Sequence, residues 1–245
     1  MLIRVDLLPG GDYQDVVILI DVLRSCSVAP LLFDNGLERL ALTPSLKQAR
    51  AAGRESRLLV GERGGLPPEG FNYGNSLAEL SRVGFAGDSV IMVSENAPKA
   101  LGMLAGAREV LLGSLYNAAA VTRTALTLAE SSVALVCCGF RGQEDLDDAV
   151  AAGMIASLLK SERSSSELGG ASRFSMTLFR TFRDPLEALW VSIAGRHLRS
   201  LKLDKELAIA SLVSHSQTVP RLADSEPRGD AMLYHFEPNR IAMED

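Results

Sequence analysis

The chain has 245 residues, 47% hydrophobic and 22% charged, enough to bury a large core in one sizeable domain or two small ones. Twenty-five Lys and Arg against 30 Asp and Glu leave a net charge of −5, which argues against nucleic acid or an anionic membrane as the main partner. The N-terminal MLIRVDLLPGGDY lacks the segments of a signal peptide, and no run approaches the roughly 20 apolar residues of a membrane span. Cys26, Cys137 and Cys138 form no disulfide framework, so a reducing, cytoplasmic setting is expected.

In chain order, the apolar run VVILI predicts a strand over 16–20, followed by a helix over 28–33. A strand over 38–42 leads to a helix over 44–52 with proline in its first turn. A third strand over 57–60 opens onto GERGGLPPEGFNYGNS (61–76), whose five glycines are more backbone freedom than a plain turn needs, and a helix over 76–82 closes that loop. Strands over 89–93, 109–112 and 133–137 then alternate with helices over 98–105, 117–129 and 146–159. Such alternation predicts an α/β protein with a largely parallel sheet.

The polar stretch SERSSSELGGASR (161–173) reads as a loop, and the pattern changes after it. Asp184-Pro185 opens one amphipathic helical run, LEALWVSIAGRHLRSL, a further helix is expected over 205–213, and a proline-bearing tail holds a short apolar stretch over 231–236. One domain over 1–245 is expected, with a subdivision point near 161–173 between an α/β core and a C-terminal helical portion. The late apolar helices would pack within the chain or across a homodimer.

Ligands of open parallel sheets bind beyond the carboxyl ends of the strands. The residues to read are therefore Asp21, Arg24, Ser25 and Ser27 after the first strand; Glu62 and Arg63 after the third; Ser94, Glu95 and Asn96 after the fourth; and Arg141, Glu144, Asp145, Asp147 and Asp148 after the last. Carboxylates at Asp21 and Glu62 suit a hard divalent cation, and the forked donors of Arg24 and Arg63 suit a phosphate or sulfonate. A P-loop, a paired-aspartate phosphatase motif, a cysteine phosphatase motif and a GxGxxG fingerprint are all absent. His197, His215 and His235 match no zinc motif and lie far in sequence from the Gly-rich loop, so they read as surface or packing residues. Trp190 reads as a core anchor. Cys26 reads as small-residue packing rather than as a nucleophile.

Several segments in order carry a family resemblance. Ile20-Asp-Val-Leu-Arg-Ser-Cys-Ser-Val, then Gly61-Glu-Arg with Gly70-Phe-Asn-Tyr-Gly-Asn-Ser, then Val93-Ser-Glu-Asn-Ala-Pro-Lys-Ala-Leu, Gly113-Ser-Leu-Tyr-Asn and Cys138-Gly-Phe resemble the ComB family of 2-phosphosulfolactate phosphatases. The resemblance implies a three-layer α/β/α fold with a largely parallel or mixed sheet. It also implies Mg²⁺-dependent release of phosphate from a small phosphorylated acid, with 2-phospho-3-sulfolactate as substrate.

By that resemblance Asp21 and Glu62 would hold Mg²⁺ and serve catalysis with Asp148. Arg24, Ser25, Ser27, Arg63, Asn75, Ser76 and Asn96 would grip the oxygens of the substrate. The second reading is a member of the family that binds a small anionic metabolite without turning it over, because Glu95 adds negative charge where an anion would approach.

Overall fold

The computed structural model describes residues 1–53 and 57–240. Six strands form where apolar runs predict them: β2 (Val16–Ile20), β3 (Arg39–Thr43), β4 (Leu58–Gly61), β5 (Ser89–Val93), β6 (Glu109–Gly113) and β7 (Ser132–Cys137). Every residue of β2 is buried, as in a parallel strand covered on both faces. The period of two is visible in β5. Val90 and Met92 join the main core, while Ile91 and Val93 join a second cluster with Ala49 and Ala52 of α2 (Leu46–Gly53).

Four further strands complete the sheet: β1 (Leu2–Asp6), β8 (Glu167–Gly170), β9 (Thr218–Arg228) and β10 (Ala231–Arg240). The ten strands run in the order β4-β5-β3-β10-β9-β6-β2-β7-β1-β8. Two parallel blocks, β4-β5-β3 and β6-β2-β7-β1-β8, are joined by the antiparallel hairpin β9–β10, so the sheet is mixed. Three antiparallel pairings in succession reverse one block relative to the other. Five steps of twist from β5 to β2, at about 20–25° each, accumulate to roughly 100–125° and turn the carboxyl ends of both blocks toward one side.

Helices cover the sheet in the three-layer α/β/α arrangement. They are α1 (Ser25–Asp34), α3 (Leu77–Leu80), α4 (Ala97–Leu101), α5 (Ala118–Leu128), α6 (Leu146–Glu162), α7 (Ser172–Thr181), α8 (Pro185–Val191), α9 (Ile193–Ser200) and α10 (Asp204–Ala210), besides α2. Among the described residues none is long and apolar enough to cross a membrane.

The expected loop over 161–173 is instead the end of α6, all of β8 and the start of α7. Glu-Leu-Gly-Gly has no strand propensity of its own; it is extended because it pairs in register with β1, and the Ser172 hydroxyl fastens the following turn to the carbonyl of Ile3 at 3.0 Å. The single helical run after residue 185 breaks at Ser192, giving α8 and α9. The Ser192 hydroxyl accepts the N–H of Gly195 at 2.9 Å, and the Asp145 carboxylate accepts those of Ile193 and Ala194 at 2.8 and 2.7 Å. Trp190, on the far side of α8 from buried Ala188 and Leu189, is exposed under the Arg199 guanidinium rather than in the core.

Candidate active site

Beyond the carboxyl ends of β2, β4, β5 and β7 lies a cleft of about 430 Å³, lined among others by Asp21, Arg24, Glu62, Asn75, Asn96 and His197. The first wall is the turn from β2 into α1. There the Cys26 N–H returns to the Asp21 carbonyl at 2.9 Å, and the N–H groups of Ser27 and Val28 return to the Arg24 carbonyl at 3.0 and 2.9 Å. Ser25 bridges to the second wall by donating its hydroxyl to that of Ser94, just after β5, at 2.7 Å.

The Gly-rich loop supplies the next wall. Its backbone freedom serves Gly65, at φ +88°, whose N–H donates to Glu62 Oε2 at 2.7 Å while its carbonyl accepts from Arg24 Nη2 at 2.9 Å. Glu62 Oε1 accepts the N–H of Glu95 at 3.2 Å, which joins the loops after β4 and β5. The fourth wall comes from far along the chain: His197 of α9 reaches the carbonyl of Gly64 through Nε2 at 3.1 Å and packs its ring on Phe140.

A scan of family models matches residues 2–225 to 2-phosphosulpholactate phosphatase. The chain belongs to that family. Among curated relatives, a Thermus thermophilus protein named "Probable 2-phosphosulfolactate phosphatase" is 38% identical, with 96% of this chain and 99% of the relative aligned. One of the same name from Deinococcus radiodurans is 40% identical over 94% of this chain and 97% of its own length. The 2-phosphosulfolactate phosphatase family is one of phosphoric monoester hydrolases.

In this family member Asp21, Arg24, Glu62, Asn75 and Asn96 line the cleft, while Ser25 braces it through Ser94. The other expected residues stand behind the wall. Ser27 donates its hydroxyl to the Val22 carbonyl at 2.8 Å. Ser76 caps α3 and donates to Glu206 of α10 at 2.5 Å. Arg63 turns outward, reaching the Pro44 carbonyl at 2.8 Å and Glu95 at 3.3 Å. Asp148 spends one oxygen on the Val22 N–H at 2.8 Å and the other on the Gly139 N–H at 2.9 Å, thereby holding the two strand-end loops together.

His197 corrects the expectation of a histidine remote from the Gly-rich loop: α9, which carries it, is aimed there by Asp145. Glu206 was not singled out either. Its carboxylate takes the Leu77 N–H at 2.5 Å and adds negative charge beside Arg24. Cys26 is buried, donates its thiol to the Leu19 carbonyl at 3.3 Å, and has its pKa pushed well up by burial and by Asp21 and Asp148; packing, not nucleophilic attack, is its role.

The electrostatics favour a cation. Burial, with the charge of Glu62, pushes the Asp21 carboxyl up to about 6 against the opposing pull of Ser25 and Arg24. Burial lowers the pKa of Arg24, and Glu206, Glu62 and Asp21 counter it. Asp21 Oδ2 and Asn75 Oδ1 are both buried without a hydrogen-bond partner. Two orphaned oxygens beside a carboxylate are a hard donor set, and they fit a small divalent ion that keeps several waters. No cluster of three or more His, Cys, Asp or Glu side chains suited to a metal exists among the described residues, so these oxygens do not make a closed protein cage of the zinc kind.

Proposed function

We propose that this protein hydrolyses 2-phospho-3-sulfolactate, or a closely related small phosphorylated hydroxy acid, to the alcohol and inorganic phosphate, with Mg²⁺ as cofactor. The observation that carries the reading is the pair of unpartnered buried oxygens, Asp21 Oδ2 and Asn75 Oδ1, in one cleft with the buried cation Arg24. Asp21 and Glu62 would hold the ion together with Asn75. When bound, Mg²⁺ neutralises charge that develops on the phosphoryl oxygens.

Arg24, fixed by one nitrogen to Gly65, offers its remaining N–H groups to an anion in the cleft. Asn96 adds a neutral polar group, and the burial of Arg24 and Asp21 strengthens every such contact by excluding water. Asp148 acts from behind by fixing the N–H groups of Val22 and Gly139, which sets where Asp21 and Phe140 project. Glu95, the residue that favours a binder without turnover, is tied to Arg63 and to the Gly64 N–H, each at 3.3 Å, so its charge is largely compensated. The three free, buried cysteines suit a cytoplasmic protein.

The test is phosphate release from purified protein given 2-phosphosulfolactate, 2-phospholactate and unrelated phosphomonoesters, with Mg²⁺ and with chelator. Mg²⁺-dependent release that favours the small hydroxy-acid esters is expected. A folded protein that binds these esters and releases no phosphate would sink the reading.

A further inference from the structure

The cleft does not end at Asn96. A second, wider cavity of about 1030 Å³ adjoins it and shares Glu95, Asn96 and Arg141 with it, adding Lys99 from α4 and the apolar surface of Leu8, Pro9 and Met103. Arg141 sits at the tip of a two-residue turn. Phe140 and Gln143 exchange N–H to carbonyl bonds at 2.8 and 3.1 Å, and Arg141 and Gly142 both adopt positive φ, 53° and 78°. That is the geometry of a tight type I′ turn, which holds its tip residue rigidly. The guanidinium lies over the Phe140 ring, 5.0 Å from its centroid, and Phe140 rests on His197.

Neither the Arg141 guanidinium nor the Lys99 ammonium has an ion pair or hydrogen bond to any described residue. Two cations without counter-ions thus face one cavity at the mouth of an anion cleft. We propose that Arg141 and Lys99 form a subsite for the second strong anion of the substrate, a sulfonate set apart from the phosphate ester. This rests on the phosphatase reading above.

The chemistry of the substrate fits the spacing of the charges. In a 2-phospho-3-sulfo acid the carboxylate carbon is bonded to the ester carbon, whereas the sulfur lies one bond further out. With phosphate beside Asp21, Glu62 and Arg24, the sulfonate extends toward the rim. A forked guanidinium matches its tetrahedral oxygens, and Lys99 adds a point charge. Glu95 also lines both cavities, and its pairing with Arg63 and Gly64 limits the repulsion.

The experiment compares 2-phosphosulfolactate with 2-phospholactate, in which a methyl group replaces the sulfomethyl group, using wild type, Arg141→Asn and Lys99→Ala. Asparagine tolerates positive φ, so the turn is kept. Arg141→Asn should raise KM for the sulfonate ester about 10- to 100-fold, the scale of a lost charged hydrogen bond, with at least a tenfold smaller change for 2-phospholactate. Equal changes for both esters, or none, would overturn the subsite. Calorimetric titration of 3-sulfolactate against lactate separates this from the reading it rests on. If wild type releases no phosphate, the phosphatase reading fails, yet weaker sulfolactate binding by Arg141→Asn still upholds the subsite. Binding that the variant leaves unchanged, or that wild type lacks, overturns it.

Discussion

Arg24 Nη2 meets the carbonyl of Gly65 at 2.9 Å, and through that one residue the guanidinium is locked in register with Glu62, which accepts the Gly65 N–H at 2.7 Å. Cation and carboxylate are thus spaced by one glycine residue rather than by direct contact. Each keeps valence free for a ligand.

Replacing Gly65 tests this link. At φ +88° a Cβ would lie 2.6 Å from Leu201 Cδ1, whereas one at Gly64, φ +63°, meets open space. Gly65→Ala should cost about 1–3 kcal/mol and lower kcat/KM more than tenfold, with Gly64→Ala near the low end of that cost. Thermal melts and steady-state kinetics on both variants decide it; equal effects would show that contact with Leu201 is irrelevant.

Asp21→Asn should abolish phosphate release and stabilise the metal-free fold. A folded pKa of about 6 exceeds the usual value of roughly 4, so the native state holds this proton more tightly than the unfolded chain does. The native state therefore loses stability as pH rises from about 4 to about 6, and the deficit is constant above. In chelator the variant should exceed wild type by about 1–3 kcal/mol at pH 8 and match it near pH 3. Mg²⁺ should raise the melting temperature of wild type alone.

Asp145→Ala strips an acceptor from Leu146, Ile193 and Ala194, the first residues of two helices. A loss of about 2–4 kcal/mol is expected, read from the urea midpoint at unchanged slope. KM should rise as well, because Ala194, His197 and Leu198 all line the cleft.

Asp15 offers the opposite pH sign. Burial opposes its ionisation, but the N–H groups of Ser131 and Ser132 and the Arg108 guanidinium outweigh that and hold the carboxyl well below the usual range. Its contribution is full above pH 4 and fades as pH falls through the lowered folded value. Asp15→Asn should be about 2–4 kcal/mol less stable at pH 7, with the gap closing toward pH 2. Activity per folded molecule should be unchanged.

Sequence pattern reveals those parts whose cause is local. VVILI and SVIMV are strands by their own apolar runs, and Asp21, Glu62, Asn75 and Asn96 follow strand ends or precede helices, where ligands gather. Pairing decides the rest. Glu167–Gly170 is extended by virtue of β1, and Thr218–Arg228, with two prolines, reads as tail until β10 lies beside it. His197 enters the cleft because Asp145 starts α9, and Glu206 meets Arg24 only when α10 folds against α3. Arg63 looks like an anion binder in GER, yet Glu95 and the Pro44 carbonyl claim it.

The central hairpin imposes an order on synthesis. β9 and β10 leave the ribosome after every other described strand, yet they lie between the two parallel blocks. Until they emerge, β3 and β6 present open backbone edges, the kind that recruit other strands. A nascent chain stalled before Thr218 therefore carries two adhesive half-sheets and no joined cleft, so termination ahead of the hairpin is expected to yield an aggregating fragment rather than a weakened enzyme.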